Sequence, residues 1–133
     1  FRRLALCEWE PNTTPAHSYN VTTDQNGNFT IADVPKGTFT ITVKNLHTLK
    51  RVKTSQVVTD GNNTINFGTL LEGDATNNNV VDVFDFSLLL NTFYKAMGES
   101  GYDTRADFNA DNIIDVFDFS LLLNSFYQNG EEQ

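Results

Sequence analysis

The sequence predicts two modules of different class, an all-β sandwich over residues 1–70 and an all-α unit of two loop-helix repeats over residues 71–133. Three observations carry this expectation. Up to residue 70, apolar and polar residues alternate with period two in short runs separated by turn residues. Beyond it, the segment Asp82 to Tyr94 returns as Asp115 to Tyr127 at an offset of 33 residues, with Ser125 for Thr92 the sole change. The charge divides at the same place, with seven Lys/Arg against five Asp/Glu in residues 1–70 and two against twelve in residues 71–133.

The runs of the first module are Tyr19-Asn-Val-Thr-Thr, Asn28-Phe-Thr-Ile, Thr38-Phe-Thr-Ile-Thr-Val-Lys44 and Thr64-Ile-Asn-Phe. Successive strand side chains point to opposite faces, so each run offers one face to a core and one to water. Asp24-Gln-Asn-Gly27, Pro35-Lys-Gly37 and Asp60-Gly-Asn-Asn63 supply the turns. This spacing predicts a small antiparallel sandwich, Ig-like or prealbumin-like. Its first strand, Arg2 to Trp9, reads as an unpaired edge open to weak self-association through the β-domain. Cys7 is the lone cysteine, makes no disulfide within the chain, and is read as a small buried hydrophobe.

The charge of the two halves is +2 (seven minus five) and −10 (two minus twelve). Ten uncompensated negatives repel one another, and divalent cations are the economical counter-charge. Nucleic acid is excluded as a partner for such a surface. No apolar run reaches the roughly 18 residues of a membrane span, so no membrane partner is expected. The apolar part of Phe1-Arg-Arg-Leu-Ala-Leu-Cys7 is too short for a signal peptide, and a start at Phe1 reads as a fragment.

Each repeated segment overlaps an acidic, Asn-rich stretch of twelve residues, Asp74 to Asp85 and Asp107 to Asp118. EF-hand loops take oxygen ligands from positions 1, 3, 5, 7 through its carbonyl, 9 and 12. Those positions are Asp74, Thr76, Asn78, Val80, Asp82 and Asp85 in the first copy, and Asp107, Asn109, Asp111, Ile113, Asp115 and Asp118 in the second. Every side-chain position carries an oxygen, in register twice over, and duplicated turns would have no reason to keep that. Two Ca2+ are therefore expected. The sixth position demands positive φ, and Asn79 and Asn112, the best substitutes for glycine, stand there. Val81 and Ile114 at the eighth position suit a short strand pairing the two loops. Position 12 is Asp rather than Glu.

After each loop, Phe86, Leu89, Leu90, Phe93 and Met97, then Phe119, Leu122, Leu123 and Phe126, fall at helical spacing and read as core. The opposite flank, with Val83, Phe84, Ser87, Leu88 and Asn91 and their second-copy equivalents, cannot all face that core.

Residues 72–128 resemble type I-like dockerins, through E-G-D-A-T-N-N-N-V-V-D-V-F-D-F-S-L-L-L and its second copy D-F-N-A-D-N-I-I-D-V-F-D-F-S-L-L-L. The stretch T-T-D-Q-N-G-N-F-T-I-A-D-V-P-K-G-T-F-T-I-T-V-K looks like the carboxypeptidase-regulatory or collagen-adhesin B-type sandwich, an X-module-like structural companion. The dockerin resemblance implies two calcium ions, three helices with the loop helices antiparallel, and a cohesin-like partner domain. It places partner contacts at Val83, Phe84, Leu90, Asn91 and Lys95, and at Val116, Phe117, Leu123, Asn124 and Gln128. It further implies an extracellular or cell-surface prokaryotic setting, with the parent protein anchored in a cellulosome-like assembly. Thr76, and the apolar pairs Val83-Phe84 and Val116-Phe117, depart from the commoner pattern.

An enzyme finds little support. His17 and His47 have no serine or cysteine nucleophile motif nearby. Glu8 and Glu10 share a strand face, which suggests the carboxylate pair of a glycosidase, but a solvated face explains them better. Trp9 and Tyr19 suggest the alternative of a carbohydrate-binding or adhesive β-domain with a calcium-stabilised appendage.

Overall fold

The computed structural model describes residues 4–11, by their backbone alone, and 17–132. Chain contacts gather it into two compact units that exchange short segments: residues 1–45, 50–69 and 131–133 form one, and residues 46–49 and 70–130 the other.

The first unit contains strands β1 (Leu4–Pro11), β2 (His17–Thr22), β3 (Gly37–Lys44) and β4 (Arg51–Val58). They form one antiparallel sheet in the order β2-β1-β3-β4. A bulge interrupts β3 and β4 between the pairs Phe39↔Gln56 and Ile41↔Lys53; the extra residue falls on β4, where Ser55 takes a φ of 54°. Phe39, Ile41 and Val58 form the buried centre, and Tyr19, Phe29, Ile31, Val34, Ile65 and Phe67 pack against it. The Asp24 carboxylate accepts from the N–H groups of Asn26 and Asn28, and Gly27 turns the chain at φ 82°.

The expected pairing of a sandwich with an all-α unit is corrected on both counts. Among the described residues there is one sheet, not two. Asn28 to Ile31 and Thr64 to Phe67 alternate as predicted but lie outside the strands, so their apolar side chains cover the sheet without a second ladder. Alternation reports which side chains seek burial and says nothing of where the backbone groups bond. The expected free edge at Arg2 to Trp9 is also corrected. β1 lies inside the sheet, paired with β2 on one side and β3 on the other, and the edges are β2 and β4.

The second unit holds two α-helices, α1 (Val83–Thr92) and α2 (Val116–Asn124), and a 3₁₀ turn, Thr104–Ala106. It is not all-α, because three isolated bridges tie its loops: Thr48↔Glu72, Val80↔Asn129 and Ala96↔Ile113. Three helices were implied; among the described residues there are two α-helices and the 3₁₀ turn. Strand outweighs helix over the described chain. The core is Leu49, Ala75, Val81, Leu89, Ala106, Phe108, Ile114 and Leu122, with the Phe86 and Phe119 rings 5.8 Å apart beside it. Leu88 and Leu121 pack inward, while Leu90, Leu123 and Met97 are exposed, so the assignment of Leu88 and Leu90 from periodicity is reversed.

Candidate metal loops and docking face

The two acidic loops are built alike, and each loop aspartate does local work. Asp82 and Asp115 are the N-caps of α1 and α2, accepting from the N–H groups of Phe84 and Phe117 at 2.8 Å. Asp85 and Asp118, three residues on, reach back to the N–H of Asp82 (2.8 Å) and Asp115 (2.9 Å), closing a capping box. The short Asp at the twelfth position thus serves as the third helical residue of a cap and sets a negative charge at the helix N-terminus.

The other Asp85 oxygen accepts from Thr76 N and Thr76 Oγ1, and that of Asp118 from the N–H groups of Phe108 and Asn109. Asp74 holds the N–H groups of Asn78 and Asn79, and Asp107 those of Asp111 and Asn112. Asn78 and Asp111 accept from the N–H of Val80 and Ile113, both at 2.9 Å. The turns use left-handed backbone at Asn77 (60°), Asn79 (69°), Ala110 (58°) and Asn112 (72°).

Asp74, Asp85 and Asp118 are 0% exposed and Asp107 is 3%. Burial is the main force pushing the Asp118 carboxyl above its ordinary value, with Asp107 adding repulsion. Among the described residues no Lys or Arg pairs with Asp85, Asp107 or Asp118. Buried carboxylates of this kind call for a cation, and an all-oxygen donor set fits a hard divalent one. Among the described residues, no three His, Cys, Asp or Glu side chains converge to hold a metal by themselves. The loop carboxylate oxygens are taken by backbone N–H groups within the loops, and Thr76, Asn78, Asn109 and the carbonyls of Val80 and Ile113 are the further oxygens that the EF-hand spacing would add.

The expected strand between the eighth residues is corrected. Val81 and Ile114 pair not with each other but with the segment beyond the opposite helix. Tyr94 N donates to Ile114 O and Ile114 N to Lys95 O; Tyr127 N donates to Val81 O and Val81 N to Gln128 O. Met97 N to Asn112 O and Gly130 N to Asn79 O, both 2.8 Å, complete the reciprocal pattern.

Outward, the copies present equal surfaces. Val83 and Val116 are 49% and 50% exposed, Phe84 and Phe117 69% and 64%, Leu90 and Leu123 both 53%. Asn91, Asn124 and Gln128 are exposed, and Lys95 is half-buried.

Several residues escaped the sequence reading. Tyr102 Oη donates to Asp107 Oδ2 at 2.7 Å, and burial together with that bond pushes its phenol up to about 12. His47 and Glu72 form a buried pair, Nδ1 to Oε2 2.5 Å, with the His47 ring edge-on to Phe108. The His47 carbonyl accepts from Gly73 and Asp74, at the entrance of the first loop, and Ser125 Oγ donates to Glu72 O. No local pattern signals contacts that span 25 or more residues. Of the candidates for catalysis or sugar binding, Tyr19 packs on the first unit's core, and Glu8, Trp9 and Glu10 have side chains outside the described residues, as does Cys7, read as a buried hydrophobe. Among the described residues no helix is long and apolar enough to cross a membrane.

No family model matches the chain, and no curated protein does. Its fold is similar to that in crystal structures of type II cohesin-X-dockerin complexes from Acetivibrio cellulolyticus. A C-terminal interface mutant gives a TM-score of 0.73 at 22% identity, covering 95% of this chain and 83% of that chain. An N-terminal interface mutant gives 0.71 at 23% identity with the same coverage. These likenesses correct the identification drawn from the sequence. The complexes are of type II, and X is the element they name beside cohesin and dockerin. The described chain is also richer in strand than in helix. Neither the type I-like dockerin nor a carboxypeptidase-regulatory or collagen-adhesin companion therefore stands.

Proposed function

We propose that this chain is a non-catalytic docking module of an extracellular or cell-surface, cellulosome-like assembly, binding a cohesin-like domain when its two loops hold Ca2+. The observation that carries the reading is the duplicated exposed face: the same apolar pair, leucine and asparagine at matching positions and with matching exposure on two helices. A monomeric fold gains nothing from keeping a valine, phenylalanine and leucine in water twice. The fold's likeness to chains of cohesin-X-dockerin complexes supports a partner of that kind.

In this reading Asp74, Thr76, Asn78, Asp82 and Asp85 with the Val80 carbonyl hold one ion. Asp107, Asn109, Asp111, Asp115 and Asp118 with the Ile113 carbonyl hold the other. Bound Ca2+ supplies positive charge beside the buried Asp85, Asp107 and Asp118, with which no Lys or Arg pairs among the described residues. The chain's own residues then fix the face, because the last four residues of each loop form the capping box that starts its helix. The sheet unit serves as a structural, X-module-like companion.

A second reading exchanges the roles, this chain standing in the cohesin's place against a dockerin partner; the strand-rich fold favours it. One experiment separates them. The chain is passed over immobilised cohesin and over immobilised dockerin domains, with calcium and with excess chelator. Retention on cohesin in calcium alone is the expected result. Retention on dockerin establishes the second reading, and passage through both overturns the docking role.

A further inference from the structure

Each helix ends in a residue whose backbone and side chain obey different demands. α1 is capped by Phe93 and followed by Tyr94 at φ 60°; α2 is capped by Ser125, and Tyr127 two residues later takes φ 61°. The left-handed region is where glycine belongs after a helix, and a bulky aromatic there is an outlier. The turn itself has a backbone cause. Tyr94 N and Tyr127 N each donate at 2.8 Å to the eighth residue of the opposite loop. That explains the conformation, which glycine would adopt at less strain, but not the side chain.

The side chains are displayed. At 73% and 75%, Tyr94 and Tyr127 are the most exposed large apolar residues among those described. Each lies against the preceding phenylalanine, with ring centroids 4.5 Å apart in both copies and planes inclined by 62° and 54°. One edge is thus held while the rest of the ring stays open to solvent. They stand directly beyond the helices that carry Leu90, Asn91, Leu123 and Asn124. Strain retained twice at exposed positions points to use rather than to folding.

We infer that Tyr94 and Tyr127 are aromatic anchors for the protein partner, lengthening the docking face at both helix ends. The inference rests on the docking reading above and names further residues of that face. A ring already held by its neighbour loses little freedom on binding, and tyrosine offers a large apolar surface with a hydroxyl at its rim. The partner is a cohesin-like domain whose contacting surface is apolar, to match the exposed Val83, Phe84 and Leu90 and their equivalents Val116, Phe117 and Leu123 with which the two rings are continuous.

The test uses the whole chain in calcium, with Tyr94→Gly, Tyr127→Gly and the pair. Melting temperature is measured alongside affinity for a panel of type I and type II cohesin domains. Glycine relieves the backbone and removes the ring, so the melting temperature should hold or rise while the pair loses about tenfold or more in affinity. The Tyr94→Phe/Tyr127→Phe pair keeps the rings and should stay within about threefold of the original. A glycine pair that binds as tightly as the unaltered chain overturns the inference and leaves the docking reading standing. One that melts several degrees lower assigns the rings to folding and also overturns it. If no cohesin binds the unaltered chain, the docking reading fails and takes this inference with it.

Discussion

Alanine at Phe84, at Phe117 and at both measures whether the duplicated face works as two alternatives. The rings are 69% and 64% exposed, so about two thirds of each remains to be withdrawn from water on docking. Full burial of a phenylalanine is worth about 1.5–3 kcal/mol, which leaves roughly 1–2 kcal/mol per ring, or about 5- to 30-fold in affinity. The reciprocal bonds between each helix end and the opposite loop relate the copies by a pseudo-twofold, so half a turn would present one set in place of the other. If each orientation uses one ring as its central anchor, a single change leaves the other orientation intact and affinity falls only about twofold, or about 0.4 kcal/mol. The pair should lose the full roughly 5- to 30-fold. Lys95 against Gln128 is the main asymmetry and biases the choice by about 0–1 kcal/mol. Titration calorimetry against a cohesin domain in excess calcium reads the affinities, and the melting temperature checks that exposed substitutions leave the fold intact. A single change that costs as much as the pair refutes the reasoning.

The second loop offers four carboxylates, Asp107, Asp111, Asp115 and Asp118, against Asp74, Asp82 and Asp85, and should bind Ca2+ more tightly. Asp111→Asn should weaken the second site and Asn78→Asp strengthen the first; calorimetry that finds neither moving rejects this. Chelation should melt the helical unit before the sheet unit, because its buried carboxylates then lose their counter-charge; unchanged helix content by circular dichroism in excess chelator would count against it. Gly73 has φ 124°, and an added Cβ would lie 3.0 Å from Ser125 Oγ and 3.2 Å from Leu122 Cα. Gly73→Ala should therefore cost about 2–4 kcal/mol in urea unfolding, and a loss under about 1 kcal/mol would mean that the site relaxes. The Val52 N–H, at 2.7 Å, and then Arg51 hold the Glu131 carboxyl below its ordinary value. A lowered carboxylate stabilises above its unfolded pKa and loses that as pH falls through the folded one. The Val52 amide resonance should therefore shift only below about pH 4.5, and Glu131→Gln should abolish the shift.

By itself the sequence determined the local geometry of the loops. Asn79 and Asn112 mark the left-handed turns, and Asp82 with Asp85, like Asp115 with Asp118, writes a cap at fixed spacing. Those features depend on neighbours within a few residues, where backbone sterics and short side chains decide the outcome. Tertiary structure alone decided the rest. Period-two alternation gave Phe29, Ile31, Ile65 and Phe67 a need for burial, yet whether a second ladder forms depends on distant backbone partners, and the described residues hold one sheet. Leu88 and Leu90 are equally apolar, and only the packing of the core settled which one faces it. Val81 and Ile114 suit a strand in any register, but the chain beyond each opposite helix reached them first. His47 and Glu72, 25 residues apart, are set by side chains meeting across the unit, where proximity in space replaces proximity in sequence.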